Sequence, residues 1–378
     1  MRFVLFYHSL VSDWNHGNAH FLRGVVRELQ NAGHDVVVYE PAEGWSRKNL
    51  LADAGPSALT AYAAAFPGLT SVTYDGDELD LDRALEGADV VIVHEWNTPS
   101  LIARIGRHRA GSTGYVLLFH DTHHRSVTAP DEIAAFALDP FDGVLAFGEV
   151  IRRRYVAMGW SSRAFTWHEA ADTALFHPRT DVDKTGDVVW IGNWGDDERS
   201  AELLQFLVEP VTAERLRTTM YGVRYPQDAI DLLQDRGIAL GGWLANHRVP
   251  EVFARHKVTI HVPRRPYVTA LPGIPTIRVF EALACGIPLV SAPWDDVESL
   301  FRPGLDFLFA ADEQHMRTQL RHLVEDPEFA ASVAQSGLET IQARHTCRHR
   351  VSELLRIVAK IQGVSTERPR INHTEVVV

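Results

Sequence analysis

The chain has 378 residues, of which 46% are hydrophobic and 23% are charged, and its formal net charge is −12 at pH 7. This length exceeds that of one average domain and predicts two. The negative charge argues against nucleic acid or an anionic membrane as a general partner, because phosphate contacts need a concentrated basic face.

Cysteine usage and the N-terminus bear on the compartment. The chain contains Cys285 and Cys347. Two cysteines allow one disulfide bridge, but such sparse usage is typical of a reduced compartment, and their spacing does not match a metal site. The first residues enter a strand pattern directly, without the features of a signal peptide. No apolar run approaches the roughly 20 residues of a membrane helix. We therefore expect a cytoplasmic protein without a membrane span.

Short apolar runs separated by stretches of helical pattern organise the first half of the chain; they span residues 3–7, 35–39, 90–93, 115–119 and 144–147. Continuous apolar runs of this length are typical of strands covered on both faces, as in a parallel sheet. The pattern predicts a doubly wound α/β domain. Polar residues follow each run, and in open parallel sheets ligands bind outside these strand ends.

Two of these polar segments carry candidate site residues. Gly17 lies in the turn after the first strand, where a glycine permits close approach of the backbone. After the fourth strand, His120 or Asp121 is predicted to contact a substrate hydroxyl. The adjacent His123 and His124 are interpreted as surface residues, because loop spacing of this kind is unspecific for a metal.

A polar linker at residues 179–186 precedes a second set of strand candidates at 187–191, 218–221, 258–262 and 289–291. We expect a second Rossmann-type unit there, shorter than the first. Gly192 and Asn193 form a turn between the first of these strands and a helix at 201–208. Free backbone amides and the positive end of a helix favour a phosphate at such a turn.

A diphosphate ligand would also need cationic side chains. A charge at a helix end contributes only about 0.3–1 kcal/mol, whereas micromolar binding needs roughly 8 kcal/mol. Arg199 and Arg278 are the candidates that we favour for the remaining hydrogen bonds, ahead of Arg264 and Arg265.

Residues 278–291 combine a helix, one acidic residue, a glycine, a proline and a new apolar strand. Gly286 can end the helix in a left-handed conformation, and Pro288 cannot continue it. The helix would present Glu281 at the ligand crevice, although a solvated charge on a helix is an equally simple interpretation. A last helix, at 348–361, has an amphipathic pattern and must pack on another element.

Residues 278–291 resemble the donor-sugar signature of the GT-B glycosyltransferases, in particular the retaining family-four group. Residues 170–178 resemble the segment that closes the first domain of that family, and residues 241–254 resemble its base-binding turn and next helix. The helix after His345 resembles its C-terminal helix. The order of these stretches matches as well, and the branch that the chain most resembles is the spore-maturation (CgeB-like) one.

The resemblance implies an α/β protein of the GT-B fold, with two Rossmann-like domains facing across a cleft. An acceptor-side domain would span residues 1–178, and a nucleotide-sugar donor domain would span residues 187–344. A helix at 345–362 would return to the first domain. Residues 363–378 would form a mobile tail.

The resemblance also implies roles for single residues. Gly17 and His120 would line the cleft near the reacting sugar, with Asp121 beside them. On the donor side the implied ligands are Glu281 for the ribose, Arg199 and Arg278 for the diphosphate, and Leu244 for the base, next to the turn of Gly192 and Asn193.

One departure from the family pattern concerns the donor sugar. The family usually carries a second Glu eight residues before the position of Glu281, where this chain has Gly273. A carboxylate that often contacts the sugar is therefore missing, which leaves the identity of the sugar open. The backbone amides around Gly273, Ile274 and Thr276 are expected to face the sugar or the phosphate instead.

The implied function is transfer of a sugar from a UDP-, GDP- or TDP-sugar to an acceptor hydroxyl, with retention of configuration and without a metal or other cofactor. The acceptor stays open among a glycan, a lipid-linked molecule, a small molecule and a protein, and the sequence does not indicate an oligomeric state. Nucleic acid is not expected as a partner.

Two other functions remain open at this point. One is a GT-B-type sugar-nucleotide epimerase, in which the pairs His94-Glu95 and His120-Asp121 would supply an acid and a base. The other is a nucleotide-sugar binding module that has lost catalysis, which the departure at Gly273 favours. A Rossmann dehydrogenase is disfavoured, because neither half has the glycine-rich fingerprint.

Overall fold

The computed structural model of the protein describes residues 1–111, 114–195 and 197–363. Apart from Gly363, the tail predicted at 363–378 lies outside the described residues. The described chain forms two domains, each built on one parallel β-sheet. None of the described helices is long and apolar enough to cross a membrane.

The N-terminal domain contains a seven-stranded sheet in the order β3-β2-β1-β4-β5-β6-β7. Its strands are β1 (Arg2–Phe6), β2 (Asp35–Pro41), β3 (Ser71–Tyr74), β4 (Val90–His94), β5 (Val116–Asp121), β6 (Gly143–Ala146) and β7 (Ala164–Thr166). The five predicted strands are all present. The strands that the sequence did not reveal, β3 and β7, lie at the two edges and have no fully buried residue.

Helices cover both faces of this sheet. They are α1 (Asn18–Asn31), α2 (Trp45–Ala54), α3 (Ser57–Ala65), α4 (Leu81–Ala84), α5 (Pro99–Ala110), α6 (Arg125–Thr128), α7 (Pro130–Ala134) and α8 (Glu149–Ala157). Along β1, Phe3 and Leu5 pack into one core, whereas Val4 and Phe6 pack into the core on the opposite face. Burial on both faces explains why the strand sequences are continuously apolar.

The C-terminal domain contains a six-stranded parallel sheet in the order β10-β9-β8-β11-β12-β13. Its strands are β8 (Gly186–Ile191), β9 (Thr218–Tyr221), β10 (Ala239–Leu240), β11 (His256–His261), β12 (Leu289–Ser291) and β13 (Leu308–Phe309). The second Rossmann-like unit is therefore confirmed.

Helices lie between these strands along the chain and after the last of them. They are α9 (Ser200–Leu203), which continues through a π-helical segment (Leu204–Val208) into α10 (Glu209–Ala213), then α11 (Gln227–Asp235), α12 (Val249–Ala254), α13 (Arg265–Thr269), α14 (Ile277–Ala284), α15 (Glu313–Glu325), α16 (Pro327–Arg344) and α17 (Cys347–Ile361). Gly286, with φ +64°, follows the end of α14 in the left-handed conformation that the sequence predicted.

The last helix, α17, belongs to the N-terminal domain. Its residues Val351, Leu354 and Val358 share a core with Leu22 and Val25 of α1. The return of the C-terminal helix is therefore confirmed. Both cysteines are buried and free, so the one possible disulfide is not formed.

The strand order of each sheet places the candidate site. In both sheets the strand order changes direction at the centre: successive strands are added first on one side of β1 or β8, and then on the other side, starting with β4 or β11. Loops that leave neighbouring strands on opposite faces open a crevice at such a switch point. The loops after β1, β4, β8 and β11 are therefore the parts of the fold where a ligand is expected.

The packing of α17 on α1 yields a stability prediction. A Cβ atom at Gly24 would lie 2.4 Å from the Sγ of Cys347 and 2.8 Å from the Cβ of Asp172. Gly24→Ala should therefore push α17 away from α1 and destabilise the protein by about 1–3 kcal/mol, seen as a thermal midpoint several degrees lower. In Gly111→Ala the added atom makes only ordinary contacts, at 3.6 Å or more, so its midpoint should stay close to wild type; equal midpoints for the two variants would contradict this packing.

Candidate functional site

Residues that follow the strands of both sheets line one cleft between the domains. The cleft holds two adjoining chambers, with volumes of about 630 Å³ and about 250 Å³. The residues that line both chambers mark their junction; they are Asn15, His16, Gly17, Asn193, Arg199, Arg264, Thr276 and Ile277.

The smaller chamber is formed mainly by loops of the C-terminal domain. Gly192 follows β8 and Gly222 follows β9. A Cβ atom on Gly222 would lie 1.9 Å from the carbonyl oxygen of Gly192, so these two turns can approach only with glycine at this position. Trp243 and Leu244, after β10, add an apolar wall. The chamber thus combines a glycine turn with an apolar surface.

Guanidinium groups line the smaller chamber. Among the residues that the structure describes, its lining includes Arg199, Arg264 and Arg278 and one carboxylate, that of Asp13. Arg264 is paired with Glu198, and Arg278 with Glu281. Arg199 donates to the backbone oxygen of Asn193 at 2.9 Å and to its Oδ1 at 2.8 Å, and Arg264 donates to the same Oδ1 at 3.0 Å. The two guanidinium groups therefore hold the β8 turn in place and give the chamber a charge that suits an anion.

Glu281 joins the two domains. It lies on α14, is 1% exposed, and its Oε1 accepts from His20 Nδ1 of the N-terminal domain at 2.8 Å and from Asn246 Nδ2 at 3.1 Å. Its Oε2 accepts from Arg278. Burial alone would raise the pKa of Glu281, but Arg278, His20 and Asn246 together hold that pKa below its ordinary value. Both oxygens are engaged, and Glu281 is not among the residues that line the two chambers.

Of the three residues predicted near the reacting sugar, Gly17 lines the cleft, whereas His120 and Asp121 lie beneath it. His120 Nδ1 is 2.7 Å from the hydroxyl of Tyr7, and burial lowers the pKa of His120 to about 3. Asp121 accepts from the hydroxyl of Tyr155 at 2.8 Å, and burial raises its pKa well above the ordinary value, with Glu95 adding to the effect. Strand β5 extends through Asp121, so both side chains are fully buried under the helices instead of lining a chamber. Direct contact of either with a substrate is therefore not supported.

The residues just beyond β5 take their place at the cleft. The backbone N–H of His123 donates to Asp121 Oδ1 at 3.0 Å, which turns the chain toward the larger chamber. His123 and His124 both line that chamber, and His124 is buried, 3.4 Å from Glu198 of the other domain. Their interpretation as surface residues was wrong, because the cleft covers this turn.

The pairs that would serve an epimerase are also inaccessible. His94 is fully buried, and Glu95 is held by Arg125 at 2.8 Å and by the backbone N–H of Thr122 at 2.7 Å. Together with the burial of the pair after β5, this removes the residues on which the epimerase alternative depended.

Of the three residues predicted to face the donor near position 273, where the family usually has a second Glu, one lines the chambers and two do not. Thr276 lines both chambers together with Gly17. Gly273 has φ +91°, its N–H donates to the backbone oxygen of Asp295 at 2.8 Å, and a Cβ there would lie 2.8 Å from Val297. The side chain of Ile274 is buried in the core of the N-terminal domain. Gly273 and Ile274 therefore shape the domain contact, and the amide of Gly273 is already used.

Several residues of the larger chamber were not predicted from the sequence, among them Trp96 and Glu169. Trp45 and Trp96, which are 46% and 43% exposed, lie on the lining of this chamber. Glu169 also lines it and is only 7% exposed. Glu169 follows β7, and since that short strand was not predicted, its polar end was not recognised either. Trp45 is the first residue of helix α2.

Comparison with known proteins supports the architecture. Residues 199–356 match the family described as glycosyl transferase-like. A search of curated proteins found no match. Among the solved structures that match is sucrose-phosphate synthase from Thermosynechococcus elongatus, with 14% sequence identity, coverage of 97% of this chain and 100% of that one, and a TM-score of 0.65.

Two further structures resemble the chain over nearly its whole length. The Anabaena protein HepE, in complex with UDP and glucose, shares 12% identity, with coverage of 95% of this chain and 100% of that one and a TM-score of 0.66. An alpha-glucosyltransferase in complex with UDP and DNA shares 12% identity, with coverage of 95% and 99% and a TM-score of 0.68. Likeness at these identities shows the fold, and the chain has the GT-B fold.

The buried histidines predict that the protein is sensitive to acid. Burial lowers the pKa of His120, His261 and His345 to about 3 and that of His123 to about 2, and it also lowers those of His16 and His94. The unfolded chain therefore binds more protons below pH 6.5, and each such histidine contributes a loss of up to about 1.4 kcal/mol per pH unit.

The raised pKa values of Asp121, Glu169, Asp172 and Asp296 act in the opposite direction, but these four groups are outnumbered by the histidines. We expect the thermal midpoint to fall steadily from pH 7 to pH 5 in a calorimetric series. A midpoint that stays constant or rises over this range would show that the histidines are not held neutral.

Proposed function

We propose that the protein is a glycosyltransferase that uses a nucleotide-activated sugar as donor and an acceptor hydroxyl as nucleophile. The observation that carries the proposal is the smaller chamber, in which a cationic lining, a glycine turn and an apolar wall meet at the switch point of the C-terminal sheet. Proteins of the same fold have been solved with UDP and with UDP-glucose. A nucleoside diphosphate has both the charge and the apolar base that such a chamber suits.

In this proposal each wall of the smaller chamber binds one part of the donor. The base packs against Trp243 and Leu244, and the diphosphate lies near Arg278 and the Gly192–Asn193 turn. Arg199 supports that turn and adds positive charge. The leaving diphosphate gains negative charge as the bond to the sugar breaks, so fixed cations at this position stabilise the transition state.

The proposed ribose contact at Glu281 requires a rearrangement. Its Oε1 is held by His20 and Asn246. Because His20 belongs to the other domain, opening of the cleft would release this oxygen and let ribose hydroxyls replace the histidine. GT-B domains that open and close around the donor would also exclude water from the reaction.

We further propose that configuration is retained and that no metal ion takes part, as the resemblance to the family-four enzymes implies. The acceptor oxygen would bond to the anomeric carbon on the face from which the diphosphate leaves. The bond from that carbon to the phosphate oxygen breaks, the electron pair stays on the diphosphate, and the acceptor proton passes to a phosphate oxygen. The arginines supply the positive charge that this step needs.

The acceptor is proposed to enter the larger chamber. Its volume of about 630 Å³ is ample for a sugar-sized molecule, and its lining includes Trp45 and Trp96. We place the reaction in the cytoplasm, since the chain keeps both of its cysteines free.

A binding and turnover series tests this function. We expect one or more of UDP, GDP and TDP to bind the protein in calorimetry, and the matching sugar nucleotide to release its diphosphate in the presence of an acceptor. Loss of a charged hydrogen bond costs about 1.5–3 kcal/mol, so Arg278→Ala should weaken nucleotide binding roughly 10- to 100-fold. The exposed Arg248, which does not line the chambers, provides the matched control Arg248→Ala.

Two outcomes would contradict the proposal in different ways. If the folded protein binds none of these nucleotides, the smaller chamber is not a donor site. If a sugar nucleotide binds but no acceptor from a broad panel supports turnover, the chain is a binding module, the alternative that the Gly273 departure favours.

A further inference from the structure

Two carboxyl side chains of the described residues line the larger chamber, and they differ in whether a cationic side chain pairs with them. Glu198 forms an ion pair with Arg264 and lies 3.4 Å from His124. For Glu169, which is 7% exposed, the described parts of the chain supply no cationic partner within ion-pair distance. A buried carboxyl without such a partner is costly to keep in a folded protein, and these groups concentrate at functional sites.

Glu169 lies next to the junction of the two chambers. The backbone N–H of Ile277 and the side chain of Asn18 face its carboxyl group. Ile277 lines both chambers, and Asn18 follows Gly17, which lines both as well. If the donor occupies the smaller chamber and the acceptor the larger one, the sugar that is transferred must lie at this junction.

We propose that Glu169 hydrogen-bonds a hydroxyl group of the transferred sugar and thereby supplies the carboxyl group that position 273 lacks. This inference rests on the proposed function. Position 273 has no room for a Glu in this protein. A Cβ atom there would lie 2.8 Å from Val297, and the backbone φ of +91° disfavours residues other than glycine.

The surroundings of Glu169 determine its protonation state. Burial, with a smaller effect from Glu281, raises the pKa of Glu169 to about 8, while Ile277 and Asn18 oppose the rise. Tyr267 and Arg350 also face it; the Nε of Arg350 donates to its backbone oxygen at 3.3 Å. At pH 7 the group is therefore mostly neutral, and a bound diphosphate favours the neutral form further. A neutral carboxyl both donates and accepts a hydrogen bond, as an amide does.

The test compares Glu169→Ala, Glu169→Gln and the control Glu339→Gln, which makes the same change at an exposed position. Calorimetry measures, for each protein, the affinity for UDP, GDP and TDP and for the sugar nucleotide that the wild type binds best. At pH 7 the nucleotide affinity should be unchanged in all variants. The sugar nucleotide should bind about tenfold more weakly to Glu169→Ala, as expected for one hydrogen bond, and within about threefold of wild type to Glu169→Gln.

The pH dependence separates a neutral hydrogen bond from a general base. Between pH 7 and pH 9 the wild type should lose affinity for the sugar part, since its carboxyl ionises, whereas Glu169→Gln should not. A Glu169→Gln variant that binds the donor normally but has lost turnover would overturn the proposal in favour of a general base. Thermal midpoints at each pH confirm that the variants are folded.

The binding data also separate a failure of the proposed function from a failure of the proposed role of Glu169. If the wild type binds no nucleotide, the proposed function fails. If it binds a nucleotide, but the sugar adds no affinity or Glu169→Ala binds the sugar nucleotide as the wild type does, only the role of Glu169 fails. An equal loss of affinity for nucleotide and sugar nucleotide would show that Glu169 supports the chamber and does not contact the sugar.

Discussion

A buried carboxylate must be fully paired, and the pairing of Glu281 sets the relative position of the two domains. Its partners come from α1, from the turn before α12 and from its own helix. Removing one partner of a buried ion pair typically costs 3–5 kcal/mol, because a charge is left without compensation. The start of α14 is therefore held against Gly17, and this contact creates the junction at which the two chambers meet.

The other contacts between the domains are mostly polar and surround the cleft. Asn193 donates to Asn15 at 2.7 Å, and Glu298 accepts from the backbone N–H of Glu149 at 2.8 Å and pairs with His168 at 2.9 Å. Polar groups of this kind exchange partners with water at small cost, so the domains can separate without exposing a large core. The apolar exceptions include Ile274, which packs into one core of the N-terminal domain, and Ile277, which packs into the other. This composition fits a cleft that opens for the donor and closes for the reaction.

Features that depend on local sequence could be predicted, and features that depend on distant residues could not. The strand β4 (Val90–His94) and the glycine that ends α14 are local patterns. The partner of Glu281, His20, lies 261 positions away, and no local signal links them. Strands β10 and β13, each of two residues, are too short to leave a pattern.

The cleft residues of the N-terminal domain show the same limit. The strand β5 (Val116–Asp121) continues through the residues that were expected to follow it. His120 is therefore buried, and His123 and His124 line the larger chamber instead. When the predicted end of a strand is wrong by two residues, side chains expected to line the cleft lie in the core. Glu169 could be recognised only from the three-dimensional position of its neighbours.

A crystal structure of the protein with bound UDP is the most direct test of the donor site. We expect a diphosphate near Arg278 and the Gly192–Asn193 turn, a base against Trp243 and Leu244, and ribose hydroxyls on Glu281 with His20 farther away than its present 2.8 Å. UDP bound in the larger chamber, or bound with the contact between His20 and Glu281 intact and the ribose elsewhere, would contradict this expectation.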